Sequence, residues 1–131
     1  MAQQPPLAYG PAPLTGDRIL VLKNEWLAMI LDGDKTLEIR GARLRQGDCW
    51  LGCKGAVYGK ACIGEAMQIR TLPEWDALRP EHCVPSPELP YRRTWGLPLR
   101  NVSRLARQAP YEHRRGAIGI ALFRPALVPP P

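Results

Sequence analysis

Residues 33–40, Gly-Asp-Lys-Thr-Leu-Glu-Ile-Arg, restrict the fold of this chain more than any other stretch. Leu37 and Ile39 alternate with Glu38 and Arg40, the period-2 pattern of a strand with its apolar side inward and its polar side outward. The alternation predicts Glu38 and Arg40 on one face, close enough to pair or to share a ligand. Gly33 closes the apolar run before it and suits the positive φ of a helix C-terminus. Lys35 then stands at the mouth of the strand. An ammonium, a carboxylate and a guanidinium are thus delivered by one short segment. The plain account is a solvated strand with an ion pair worth ~0–1 kcal/mol. The other account is a charged cleft.

The flanking segments set the frame for that strand. Arg18 to Leu22 reads as a first strand. Asn24 is a plausible N-cap for a helix over Glu25 to Leu31, with Trp26, Met29 and Ile30 on one apolar face. That face is expected to pack on the end of a sheet, Trp26 with it; lining a pocket is the second option for Trp26. Gln46-Gly47-Asp48 is a turn, followed by a strand over Cys49 to Cys53. Ala56 to Ile69 holds further strands, and Gly59 and Gly64 mark the bulges or sharp coiling that a small barrel needs. Pro73 to Leu78 starts a short helix. Glu81 to Pro90 reads as an irregular loop. Trp95 to Val102 is a strand that Pro98 pushes toward an edge or a bulge, and Gly116 to Phe123 closes the set.

With 131 residues the chain is one domain, expected over residues 17–124 between a proline-rich, disordered leader (1–16) and a proline-rich tail (125–131). Charge is unevenly placed. Residues 1–89 carry 10 basic and 11 acidic residues, whereas residues 90–131 carry 8 basic residues and a single acid, Glu112. A basic face built by one part of a chain is the footprint of a polyanion partner. Arginine outnumbers lysine 14 to 4, which suits bidentate phosphate binding and stacking on bases, although a GC-rich genome produces the same bias. Tyr91, Arg92, Arg93 and Trp95 interleave rings with guanidinium groups, the pairing that serves unstacked bases and their phosphates. There is no secretory h-region and no apolar run long enough to span a membrane, so a cytoplasmic protein with reduced cysteines is expected, a nucleus being the other option. Cys49, Cys53, Cys62, Cys83 and His82 lack the short C-x-x-C spacing of structural zinc sites, and no metal or other cofactor is expected. His82 and His113 have no Ser or Cys partner at a recognisable spacing, so no nucleophilic triad is drawn.

The pattern Gly33-x-Lys35-x-x-Glu38-x-Arg40 resembles the G-x-K-x-x-E-x-R signature of the ASCH domain, a PUA-like family associated with RNA. The resemblance runs from about Arg18 to Phe123 and includes Ile63-Gly64-Glu65-Ala66, Tyr91 to Trp95 and Arg115-Gly116-Ala117. It implies an α+β fold: a small PUA-like β-barrel with two or three flanking helices. It also implies a cleft in which Lys35, Glu38 and Arg40, with Tyr91, Arg92, Arg93, Trp95 and Arg115, hold RNA or a modified nucleotide. The alternative implied is an enzyme. Some bacterial relatives are amidohydrolases acting on N4-acetylcytidine through a Lys, a Thr and a Glu, and others are ribonucleases. Lys35 matches the Lys position. Glu38 stands where the Thr is expected, so a Thr nucleophile is missing there, and Thr36 falls on the other face of the strand. In a water-based version Lys35 and Glu38 would act with a later Glu, taken as Glu81 with Glu74 and Glu88 as rivals. The sequence leaves substrate and oligomeric state open.

Overall fold

The computed structural model describes residues 9–113 and 119–126. Ten elements are described: β1 (Arg18–Val21), α1 (Asn24–Asp32), β2 (Leu37–Arg40), β3 (Gly47–Cys53), β4 (Ala56–Ile63), β5 (Met67–Ile69), α2 (Leu72–Ala77), α3 (Arg79–His82), β6 (Thr94–Pro110) and β7 (Ile120–Leu122). The strands form one mixed sheet in the order β2-β6-β4-β3-β1-β7, with β5 beside β6. Among the described residues only the β1–β3 pair is parallel. The sheet curls into a half-barrel, so the expected small α+β barrel with three helices is the observed fold. β2 and β7 are the two ends of the strand order, and no ladder joins them among the described residues.

Helix α1 covers the concave side. Its Leu27 and Ile30 join Leu20, Leu51, Ile63 and Leu97 in the main core. Asn24 is not the cap: Lys23 occupies that position without a side-chain bond, and Asn24 is the first helical residue. The C-terminus follows expectation, because Gly33 takes φ 86° and its N–H bonds back to Ile30 O.

Strand β2 departs from the half-buried strand its alternation predicts. Leu37 and Ile39 do face inward, into a second core with Ile69 and Trp75 built by α2, α3 and the loop after them. The opposite face is also covered, and Glu38 is 4% exposed. Alternation reports that the two faces differ in chemistry; it does not report that the polar face meets water.

Long β6 explains the curl. Its residues 95–98 pair with β2 while 94–96 pair with β5 on the other edge; beyond that point it pairs with β4. Pro98 sits at this handover rather than on an edge strand, and its carbonyl accepts from Gly64 N–H at 2.8 Å. Asn101, at φ 53°, lies where the β4–β6 register slips by one residue. Gly59 is required at the crossing of α1: a Cβ there would lie 2.6 Å from Ser103 O and 2.7 Å from Leu31 Cδ2.

Two further differences concern the ends of elements. Glu81 and His82, expected at the start of a loop, belong to α3. Tyr9, expected in the disordered leader, stacks on buried Trp50 with ring centroids 5.9 Å apart, and its hydroxyl accepts from Arg18 N–H.

Candidate functional site

Three of the residues expected at a site come together at the seam between the sheet's two ends. The i, i+2 spacing on β2 sends the side chains of Glu38 and Arg40 to the same face. Lys35 reaches that face from the turn after α1. Glu38 Oε2 accepts from Arg40 Nε at 2.8 Å and lies 2.7 Å from Arg40 Nη2. Glu38 Oε1 lies 3.5 Å from Lys35 Nζ. Arg40 Nη2 also donates to Val21 O at 2.6 Å, at the end of β1. A guanidinium therefore spans the gap where the barrel would otherwise be closed by backbone ladders.

Lys35 is 1% exposed, a rare placement for an ammonium. Its Nζ donates to His82 O at 2.5 Å and sits 4.8 Å above the Trp26 ring. Burial pulls its pKa below the ordinary lysine value; the adjacent carboxylate of Glu38 pushes the other way, and Arg40 adds slightly to the lowering. The carbonyl that holds Lys35 is itself fixed. The His82 ring is fully buried, stacked on Trp75 at 3.8 Å. Val84 N–H donates to His82 Nδ1 at 2.9 Å, so Nε2 carries the proton and donates to Trp75 O at 2.9 Å. This bonding suits the neutral ring, and burial lowers the pKa of His82 from its ordinary value.

Above these charges lies an open cavity of about 850 Å³. Lys35, Glu38 and Arg40, with exposed Lys23, supply its charged lining, Trp26 and Tyr91 its aromatic lining, and Val21, Ile39 and Ile120 part of its apolar wall. Tyr91 is 46% exposed and packs over Gly41, where a Cβ would meet the ring at 2.9 Å. The cavity thus offers cations and a ring edge or face to a planar ligand with acceptor groups.

The other expected site residues fall elsewhere. Arg92 and Arg93 are exposed in the segment leading to β6, and Trp95 is half-buried opposite Arg40 in the β2–β6 ladder; none of the three lines the cavity. Glu81 is exposed on α3, outside the cavity lining, and is engaged through its backbone: its N–H donates to Leu78 O and its carbonyl accepts from Thr36 N–H. Thr36 is exposed, Glu74 serves the α2 N-terminus through Thr71, and Glu88 is exposed. Arg115 lies outside the described residues. Trp26 lines the cavity while its flank packs on the main core, so both options raised for it hold. His82 was visible only as an isolated histidine, and nothing in its spacing pointed to the carbonyl under Lys35. Cys49 and Cys53 share the main core, and burial pushes the Cys49 thiol up to about 12.

The curled α+β half-barrel, with Lys35, Glu38 and Arg40 at its seam, is the kind of fold implied by the 33–40 signature. No family model and no curated protein sequence matches the chain. Solved structures do. The chain is similar to the ASCH protein from Zymomonas mobilis, with TM-score 0.65 and 15% identity over 83% of this chain and 88% of that one. A tyrosine-to-phenylalanine variant of that protein gives TM-score 0.67, 15% identity and coverage of 83% and 91%. A serine-to-alanine variant gives TM-score 0.65, 15% identity and coverage of 86% and 92%. At this identity the likeness establishes the fold. No helix among the described residues is long and apolar enough to cross a membrane.

Proposed function

We propose that the cavity binds a nucleotide of single-stranded RNA, or a modified nucleotide, in a cytoplasmic protein with reduced cysteines. One observation carries the reading: buried Lys35 and Glu38, paired with partly buried Arg40, lie under an open cavity that two aromatic side chains line. Burying charges is costly unless they are paired, so a set of this kind at a cavity floor marks a site. Arg40 and Lys35 face a carbonyl or phosphate oxygen of the ligand. Tyr91, at the mouth, stacks on a base. Glu38 is committed to Arg40 and Lys35 and orients them, instead of accepting from an exocyclic amine. No cofactor enters this reading.

Hydrolysis of N4-acetylcytidine is the second reading, favoured by the lowered pKa of Lys35, which is the direction a general base needs. The partners for it are lacking at the cavity. Glu38 is the one carboxylate in its lining and is held by two cations, while Glu81 and Thr36 point to other surfaces. A ribonuclease role has no further support in the arrangement.

The test is titration of fluorescent single-stranded RNA with wild type and Lys35→Met, beside an incubation with N4-acetylcytidine analysed for cytidine. Saturable RNA binding, at least tenfold weaker for the variant, and no cytidine are expected. Cytidine formed by wild type and not by Lys35→Met would replace binding with catalysis. No binding and no turnover would remove both readings.

A further inference from the structure

The outer part of β6 carries a second feature that the cavity does not use. Between Arg100 and Ala109 the ladder partner of β6 is β4 alone among the described residues, so its other edge is open there, until Ala126 N–H donates to Pro110 O. The register breaks opposite β4 change which residues turn inward. Leu99, Val102, Leu105 and Ala109 pack inward, a spacing of 3, 3 and 4 rather than 2. Two residues in three are therefore left outside, and Arg100, Arg104 and Arg107 are all exposed. No carboxylate occurs between Arg100 and Pro110. Arg104 is paired with Asp32 at the end of α1; Arg100 and Arg107 have no acidic partner among the described residues.

Charges on an open edge also keep strands of other molecules away. That purpose needs charge but no planar donor fork, and lysine serves it as well. A row of one sign, all arginine, fits a partner of the opposite sign with planar, bidentate acceptors. At ~3.3 Å per residue, Arg100 to Arg107 span at most ~23 Å, which covers several successive phosphates. The row is also placed to continue from the cavity. Trp26 lines the cavity near one end of α1, and Asp32, at the other end, holds Arg104. A nine-residue helix is about 13 Å long, so the two features lie one short helix apart.

We infer that the open edge of β6, through Arg100, Arg104 and Arg107, is a phosphate track for the same RNA strand that places a nucleotide in the cavity. This rests on the RNA reading of the cavity. The protein then grips a polynucleotide at two places, and the track contributes affinity without base preference.

The experiment compares wild type, Arg100→Gln/Arg107→Gln and Lys35→Met on a cytidine mononucleotide and on a single-stranded 12-mer, each at 50 and 200 mM salt. Removing two phosphate contacts is expected to reduce the slope of log affinity against log salt by about 1.4. Between those salt concentrations wild type then loses about sevenfold more 12-mer affinity than the double-arginine variant. Mononucleotide binding is expected to be unchanged in that variant and weakened in Lys35→Met. Equal 12-mer slopes for wild type and the arginine variant, with Lys35→Met still defective, overturn the track and leave the cavity reading standing. A slope that falls in the arginine variant, with Lys35→Met unaffected on both ligands, supports the track and removes the cavity reading. No RNA binding by wild type overturns both. A dimer in sedimentation that RNA does not dissociate, together with equal slopes, assigns the edge to a second copy of the chain and likewise overturns the track.

Discussion

Glu38→Gln isolates what the buried carboxylate does, because the amide keeps the shape and one acceptor while removing the charge. Glu38 faces Lys35 at 3.5 Å and Arg40 at 2.7 Å. At an effective dielectric of 20 those separations correspond to about 5 and 6 kcal/mol of attraction. Relief from keeping a carboxylate out of water offsets several kcal/mol of this. A net loss of about 3–5 kcal/mol remains, the usual result when one partner of a buried pair is removed. We take the lower end, because Arg40 is 16% exposed and Lys35 has the option of shedding its proton. With ~0.28 kcal/mol/K of unfolding entropy for a chain of this length, about 3 kcal/mol lowers the melting temperature by about 10 °C. Circular dichroism melts at pH 7 measure it. The same logic makes Lys35→Met partly compensating: in the Glu38→Gln background it removes a buried cation that has lost its counter-charge. As pH rises toward the ordinary lysine value of 10.5, the unfolded chain binds the extra proton, so Glu38→Gln gains stability relative to wild type. A melting temperature within 3 °C of wild type would refute the reasoning, as would a double variant whose losses simply add.

Three further outcomes follow from other parts of the structure. His82 has a folded pKa below its ordinary 6.5, so its contribution is fully present above that pH and is lost as pH falls through the lowered value; denaturant melts from pH 7 to 5 should show wild type losing stability relative to His82→Phe, and parallel curves would contradict this. Gly41→Ala should displace the Tyr91 ring and weaken RNA by the equivalent of about 1–3 kcal/mol of stacking, with the melting temperature nearly unchanged because Tyr91 is half exposed; titration beside a melt checks both. Cys49, buried with its thiol pushed up to about 12, should resist a maleimide until the chain unfolds while Cys83 reacts in the native state, as peptide mass spectrometry would show.

The elements were legible where chemistry and period agree. Gly33, the α1 run and the strands around Gly47, Lys54 and Gly55 are set by local turn geometry, and their positions hold to within a residue or two. Pro98 shows the limit of a local rule: a missing N–H excludes one ladder bond, and β6 places that residue where its partners change. The site was half legible. Lys35, Glu38 and Arg40 are adjacent in sequence and share one face, so their meeting needed only the strand period. Burial of Glu38 needed α1 and the α2–α3 layer on opposite sides of β2, which no window of sequence contains. The same holds for His82, 47 residues from the lysine it supports. Arg92 and Arg93 adjoin Tyr91 in sequence, yet of the three only Tyr91 reaches the cavity lining.

Arg40 also sets how the cavity can change size. A barrel shut by backbone widens only in steps of a whole strand, ~4.8 Å at a time. Here the last gap is bridged by a side chain reaching Val21 O, and a rotamer adjusts continuously. On the nucleotide reading proposed above, the seam would take an extra methyl or acetyl group on a base by a small shift of one guanidinium, leaving every ladder of the sheet intact.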